Sequence, residues 1–68
     1  MVRQFVSSSD LRSVGYEDGV LEIEFHSGGI YQYFNVPPVV VSELMSAPSH
    51  GRYFYRVIRN RYSYRRIC

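Results

Sequence analysis

The sequence predicts a small α+β domain in which two short helices pack on an antiparallel sheet. Residues 20–26 alternate between apolar and charged side chains, and residues 30–36 are rich in aromatic ones. Two glycines, Gly28 and Gly29, lie between these segments, an order that is typical of a β-hairpin. After the hairpin, apolar residues recur at helical spacing in two further segments. A chain of 68 residues buries one small core, so we expect residues 1–68 to form a single domain.

The N-terminal residues predict an edge element, a strand and a turn. Residues 2–6 place apolar side chains between polar ones, which indicates a weak edge strand or, equally, a docked arm. Residues 11–16 predict a strand. The turn at 17–19 ends in a glycine, which adopts positive φ readily.

The clearest element is the central hairpin, which we expect over residues 20–35. Large apolar side chains alternate with charged ones up to His26, so one face of this strand is apolar and the other is polar. Residues 27–29 supply a tight turn, and residues 30–36 return as a strand of β-branched and aromatic residues.

Two helices and a short C-terminal strand are predicted after the hairpin. Pro38 suits the first turn of a helix over about 38–46, although three consecutive valines lower its intrinsic propensity. A second helix is expected over about 51–60, with Ser49 as its N-cap. The residues from Tyr62 to Ile67 can end the chain as a short strand.

The second helix is predicted to carry an apolar stripe and a basic stripe. The apolar stripe consists of Phe54, Val57, Ile58 and Tyr62. The basic stripe consists of Arg52, Arg56 and Arg59, which lie three or four residues apart.

The charge of the chain is divided unevenly along its length. The formal net charge is +2, but residues 1–45 carry two arginines and six carboxylates, whereas residues 46–68 carry six arginines and no carboxylate. Every basic residue is arginine, whose planar guanidinium pairs with phosphate or carboxylate at two points and stacks on aromatic rings. The C-terminal third is therefore predicted to bind an anion.

The candidate ligand-binding residues combine guanidinium groups, phenol rings and the start of the second helix. They are Ser49, His50, Gly51, Arg52, Tyr55, Arg56, Arg59, Arg61 and Tyr62. Tyr53 and Tyr64 belong to the same aromatic set, but they are the two tyrosines least expected to contact a ligand. The alternative interpretation is a solvated basic surface in which some arginines pair with carboxylates from the first two-thirds of the chain.

Several other kinds of site are not expected. His26 and His50 lie far apart and have no accompanying thiolates, so no metal site and no cofactor are predicted. Nothing in the sequence requires catalysis. The single cysteine, Cys68, allows no internal disulfide, and no apolar run reaches the roughly 20 residues of a membrane span. We therefore expect a non-enzymatic, cytoplasmic protein without a membrane partner.

The order of several segments resembles the KTSC domain. The segments are residues 7–11, 14–16, 21–25, 28–33, 36–37, Gly-Arg-Tyr-Phe at 51–54 and Ile-Arg-Asn-Arg-Tyr-Ser-Tyr-Arg-Arg-Ile at 58–67. That family is named for an extra C-terminal domain of some lysyl-tRNA synthetases and also occurs as small bacterial and phage proteins. The resemblance implies a small α+β fold and a connection to RNA. Three positions depart from the family pattern: His50 replaces a common lysine, Tyr55 a common asparagine and Ser63 a common proline.

Three functions are compatible with these observations. The leading hypothesis is a non-enzymatic protein that holds a small nucleotide-like anion in an arginine and tyrosine pocket at a homo-oligomer interface, which in a free-standing protein would sequester a cyclic or signalling nucleotide. A net charge of +2 is modest for a protein that follows a long polynucleotide. The alternatives are an RNA- or tRNA-binding accessory module and a protein-interaction or assembly domain.

Overall fold

The computed structural model, which describes residues 1–68, consists of five strands and two helices. Their bounds are β1 (Arg3–Phe5), β2 (Leu11–Glu17), β3 (Val20–Phe25), β4 (Ile30–Tyr33), α1 (Pro38–Ser46), α2 (His50–Tyr53, continued as a π-helical segment over Phe54–Ile58) and β5 (Tyr64–Arg66). The strands form one antiparallel sheet in the order β1-β2-β3-β4-β5, so β1 and β5 are its edges. The predicted α+β architecture is confirmed.

Strands β2 and β3 also form a hairpin, and the conformation of its turn explains why. Glu17 pairs with Val20, which leaves a two-residue loop. Asp18 and Gly19 both have positive φ, at 51° and 81°. A two-residue loop with this conformation matches the right-handed twist of the flanking strands, and glycine adopts it without steric cost.

One face of the sheet packs against both helices and forms the core. The buried apolar residues are Leu11, Val14, Leu21, Ile23, Tyr33, Val36, Val40, Leu44, Phe54 and Ile58. Val40 and Leu44 come from α1, and Phe54 and Ile58 from the π-helical segment. The apolar stripe predicted for the second helix thus packs on the alternating apolar residues of the strands.

The opposite face of the sheet carries a row of polar contacts. Arg3, Gly15, Glu22 and Gln32 stand side by side on successive strands. Glu22 is only 6% exposed, forms an ion pair with Arg3 and accepts a 2.9 Å hydrogen bond from Gln32. Burial alone would raise the pKa of Glu22, but the hydrogen bonds from Gln32 and Arg3 outweigh it, and the pKa is lowered.

Gly15 allows the N-terminal strand to approach closely. A Cβ atom at this position would lie 2.9 Å from both the Arg3 Cγ and the Val2 carbonyl oxygen. The first residues form an edge strand rather than a docked arm, because Arg3–Phe5 pairs antiparallel with β2.

None of the helices has the length and apolar character needed to cross a membrane.

The helices agree with the prediction except at one point. Helix α1 has the predicted bounds, and the Ser49 Oγ accepts a 3.2 Å hydrogen bond from the Arg52 amide, which confirms it as the N-cap. The second helix ends in a π-helical segment that the sequence does not predict. There the Arg59 amide donates to the Phe54 carbonyl at 3.0 Å, five residues back instead of four.

Candidate functional site

The two arginines near the N-terminus and the six arginines of the last third of the chain have different environments. Arg3 pairs with Glu22 and Glu24, and Arg12 lies 3.9 Å from Glu24. No ion pair involves the six arginines of the last third, and all six are exposed: Arg52, Arg56, Arg59, Arg61, Arg65 and Arg66. The ion pairs that the solvated-surface interpretation assigns to some of them are therefore absent. Their guanidinium groups remain available to an external anion.

A cleft of about 370 Å³ opens beside β5, between the sheet and the π-helical segment. We call it the aromatic cleft, and its lining residues are Phe25, Ser27, Tyr31, Tyr33, Phe54, Tyr55, Arg59, Asn60 and Tyr64. Its two most exposed rings are Tyr55 and Tyr64, at 44% and 58%. Both are held in place by rings beneath them.

The ring contacts explain how Tyr55 and Tyr64 are positioned. Tyr64 lies 5.6 Å from Tyr33 and 5.9 Å from Tyr31, between ring centroids. Tyr55 meets Phe54 edge to face at 5.3 Å, and Phe54 in turn meets Tyr33 at 5.3 Å. Aromatic pairs at these separations add about 0.5–1.5 kcal/mol beyond area burial, so the cleft walls are supported by a packed network.

Two guanidinium groups lie against these rings. Arg59 stands 5.3 Å from the centroid of Tyr55, and Arg66 stands 5.8 Å from the centroid of Tyr31. The Arg66 Nε also donates a 2.7 Å hydrogen bond to the Cys68 carbonyl. The Arg59 side chain donates no hydrogen bond within the chain. Its guanidinium is therefore oriented by the Tyr55 ring and remains free to bind an anion.

Tyr33 contributes a phenol to the floor of the aromatic cleft. It is 4% exposed, and its hydroxyl has no hydrogen-bond partner within the chain, whereas the hydroxyl of Tyr53 donates to Glu43. Burial, followed by the neighbouring phenols of Tyr31 and Tyr64, raises the pKa of Tyr33 to about 12. Tyr33 therefore presents a neutral hydroxyl that can donate to a ligand at physiological pH.

A second cleft, of about 420 Å³, lies where α1 meets α2. We call it the junction cleft, and it is lined by Glu43, Ser46, Ala47, Pro48, Ser49, Arg52, Tyr53 and Arg56. The Tyr53 hydroxyl donates a 2.7 Å hydrogen bond to Glu43. Burial and this bond raise the pKa of Tyr53 to about 12. The carboxylate of Glu43 makes this cleft less favourable for an anion than the aromatic cleft.

The structure divides the predicted ligand-binding residues between these two places. Tyr55 and Arg59 line the aromatic cleft, whereas Ser49, Arg52 and Arg56 line the junction cleft. Side chains three and four apart share one stripe on an α-helix, but the π-helical turn rotates the residues that follow it. The single basic stripe predicted from Arg52, Arg56 and Arg59 is therefore split between two clefts.

The remaining predicted residues have structural surroundings. The His50 Nδ1 lies 2.8 Å from the Leu44 carbonyl oxygen and joins the two helices. Gly51 is buried, and a Cβ there would lie 2.7 Å from the Asp10 Oδ2. Tyr62 is half-buried against the core, and Arg61 lines neither cleft.

Most of the aromatic cleft was not identified from the sequence. The additional lining residues are Phe25, Ser27, Tyr31, Tyr33, Phe54, Asn60 and Tyr64. Tyr64, one of the two tyrosines least expected to contact a ligand, forms an exposed part of its wall. The pairing of Tyr33 with Tyr64 across β4 and β5 brings these rings together, and sequence spacing does not reveal that pairing.

Comparison with known proteins gives one consistent family. The family model described as the KTSC domain matches residues 7–62. An uncharacterized protein of Stutzerimonas stutzeri is 49% identical, and the match covers 98% of this chain and 99% of that protein. A lysine–tRNA ligase of a Nostoc species is 47% identical over 69% of this chain, a match that spans 8% of the ligase. The crystal structure of a KTSC domain protein from Yersinia pestis superposes with a TM-score of 0.95 at 45% identity, covering 98% of this chain and 97% of the other.

Proposed function

This chain belongs to the KTSC domain family, and we propose that it is a non-enzymatic protein that binds a nucleotide-like anion in the aromatic cleft. One observation carries the proposal: the exposed rings of Tyr55 and Tyr64 and the unpaired guanidinium of Arg59 line the same cleft. A volume of about 370 Å³ lies at the small end of ligand pockets, which suits one nucleoside unit.

Each part of such a ligand has a suitable partner. A base that stacks on Tyr55 or Tyr64 gains about 1–3 kcal/mol, because every base presents an aromatic face. The guanidinium of Arg59 can hold a phosphate at two points. The neutral hydroxyl of Tyr33 can donate to a carbonyl or ring nitrogen of the base.

The environment of Tyr33 also favours binding over catalysis. A general acid or base works best when its pKa lies near the operating pH. Burial moves the pKa of Tyr33 in the opposite direction, to about 12. Tyr33 is therefore proposed as a hydrogen-bond donor to the ligand. We also propose that the protein acts in the cytoplasm, where a free-standing copy would sequester a cyclic or signalling nucleotide.

The nine lining residues are those that one copy of the chain supplies to the aromatic cleft. A homo-oligomer stays part of the proposal.

A second candidate function is an RNA-binding accessory module. Two observations favour it: the match to a lysine–tRNA ligase, and the excess of unpaired arginines over those needed for one phosphate. Arg61 and Arg65 lie outside both clefts and are exposed, so they are available to further phosphates of a longer ligand.

Isothermal titration calorimetry separates the two candidates. We expect measurable heat with at least one member of a panel of mono-, di- and cyclic nucleotides. Structured RNA is titrated at two salt concentrations in parallel, because phosphate contacts to a polynucleotide weaken steeply as salt rises. No heat from any nucleotide, together with salt-dependent RNA binding, would replace the first candidate by the second. No binding in either series would refute both.

A further inference from the structure

The edge strand β1 presents exposed apolar side chains. Phe5 is 76% exposed, Val2 is 91% exposed and Met1 is 47% exposed. Because side chains alternate along a strand, Phe5 lies on the same face of the sheet as Arg3, whereas Val2 lies on the other face. This edge is opposite to the one that carries the aromatic cleft. An exposed strand edge that carries apolar side chains is prone to pair with another strand.

The backbone of β1 also has free hydrogen-bonding groups. The Val6 amide donates a 3.1 Å hydrogen bond to the Arg12 carbonyl. The backbone amides and carbonyls of the even-numbered residues in this segment therefore point toward β2. Because backbone groups alternate along an antiparallel strand, the amides and carbonyls of Arg3 and Phe5 face outward.

Charge does not protect this edge from pairing. Natural edge strands are often guarded by a charged side chain or a proline, and β1 has no proline. Its one charged residue, Arg3, is turned onto the sheet face, where it pairs with Glu22 and donates a 2.9 Å hydrogen bond to the Ser13 Oγ. The other edge differs, because β5 consists of Tyr64, Arg65 and Arg66.

We propose that β1 pairs with β1 of a second copy of this chain. In the antiparallel register that uses the outward groups, Arg3 of one copy faces Phe5 of the other, and Gln4 lies on the two-fold axis. No like charges are opposed in this register, and the Phe5 ring can cover the aliphatic part of Arg3. The equivalent pairing of two β5 strands would place Arg65 against Arg65, which like-charge repulsion disfavours.

The second copy is favoured as the occupant because the register is complementary to itself. Two-fold pairing of identical edges satisfies both sets of backbone groups and closes after two chains. The product is a continuous ten-strand sheet with one aromatic cleft at each end. Since three-residue strands bury little area, we expect a dimer of modest affinity that forms between about 10 µM and about 1 mM protein.

Sedimentation equilibrium over this concentration range tests the interface. We expect Phe5→Lys to raise the dimer dissociation constant at least about tenfold, because two lysines would then flank the axis. Val39→Lys is the matched control, since Val39 is also exposed, at 60%, but lies on α1. Tyr64→Lys, at the opposite edge, is expected to leave the dimer intact. Circular dichroism melts check that each variant is folded.

Hydrogen exchange gives a second measurement that does not depend on mutation. The outward amides of Arg3 and Phe5 should exchange rapidly in dilute protein and become protected as concentration rises. A wild-type protein that stays monomeric across the range, a Phe5→Lys variant that still dimerises, dissociation caused by Tyr64→Lys, or growth beyond the dimer would each overturn the proposal.

Discussion

The guanidinium of Arg59 lies 5.3 Å from the ring centroid of Tyr55, and both side chains line the aromatic cleft. The contact joins the second residue of the π-helical segment to the residue that follows the segment. It holds a cationic fork beside an exposed ring, a combination that suits a phosphate attached to an aromatic base.

Replacing Arg59 by Ala should weaken nucleotide binding at least about tenfold, or about 1.4 kcal/mol, because the phosphate loses a charged two-point partner. Arg59→Lys should recover only part of this loss, since an ammonium group cannot bind a phosphate at two points or stack on a ring as a guanidinium does. Arg52→Ala is the matched control, because Arg52 is also exposed and forms no ion pair but lies in the junction cleft. Equal losses for Arg52→Ala and Arg59→Ala in calorimetry would point to nonspecific charge attraction.

Tyr64 should contribute through its ring rather than its hydroxyl. We expect Tyr64→Ala to reduce affinity by about 5- to 150-fold, the equivalent of about 1–3 kcal/mol of stacking, while Tyr64→Phe keeps most of it. Tyr53→Phe removes a hydroxyl bound to Glu43 in the junction cleft and should leave affinity unchanged. Similar affinities for Tyr64→Ala and wild type would exclude stacking on this ring.

Tyr33→Phe should separate ligand binding from stability. The hydroxyl has no partner within the chain, so its removal should change the free energy of unfolding by less than about 0.5 kcal/mol. Affinity for the nucleotide should fall several-fold, because the donor at the cleft floor is lost. Urea denaturation and calorimetry on the same sample measure both quantities, and an unchanged affinity would contradict the role of Tyr33.

The raised pKa values of Tyr33 and Tyr53 also predict alkaline sensitivity. Both pKa values are about 12 in the folded chain, against an ordinary value of 10.0. Between these values the unfolded chain releases protons that the folded chain retains, so stability falls as pH rises above about 10. Stability against urea measured from pH 8 to about 11.5 should decline, and the decline should be smaller in Tyr33→Phe. A decline of the same size in Tyr33→Phe would contradict the assignment to Tyr33.

Glu22 should make the fold sensitive to acid. Its pKa is lowered by Gln32 and Arg3, so the stability it contributes is present above its ordinary pKa of 4.5 and is lost as pH falls through the lower, folded value. Glu22→Gln should cost about 1–3 kcal/mol at pH 7, because Arg3 loses the closer of its two ionic partners. The variant should show a shallower loss of stability in acid. Glu17→Gln, whose side chain is 59% exposed, is the control and should behave like wild type.

The local elements were predictable because neighbouring residues determine them. The turn at Asp18 and Gly19 and the cap at Ser49 depend on short-range geometry, and the alternating strand around Ile23 depends on a two-residue period. The aromatic cleft was not predictable in the same way. It requires Tyr33 and Tyr64 to meet across paired strands more than 30 residues apart in sequence, and spacing does not encode that contact.

The distribution of ion pairs could not be predicted from the sequence for a related reason. The alternative interpretation of the sequence paired some of the C-terminal arginines with carboxylates from the first two-thirds of the chain. The sheet register instead brings Arg3 beside Glu22 and places Arg12 close to Glu24, so these carboxylates are already occupied. The six arginines of the last third remain unpaired as a consequence of folding rather than of composition.

The π-helical segment accommodates one residue more than an α-helical turn between the core and the aromatic cleft. The hydrogen bond from the Arg59 amide to the Phe54 carbonyl spans one residue more than an α-helical bond, so deleting Arg56 would restore regular α-helical spacing. The same amide and carbonyl would still meet after that deletion, so Phe54 in the core and Arg59 in the cleft would keep their relative positions. The additional residue is therefore absorbed between these two positions, on a turn whose Arg56 side chain is exposed.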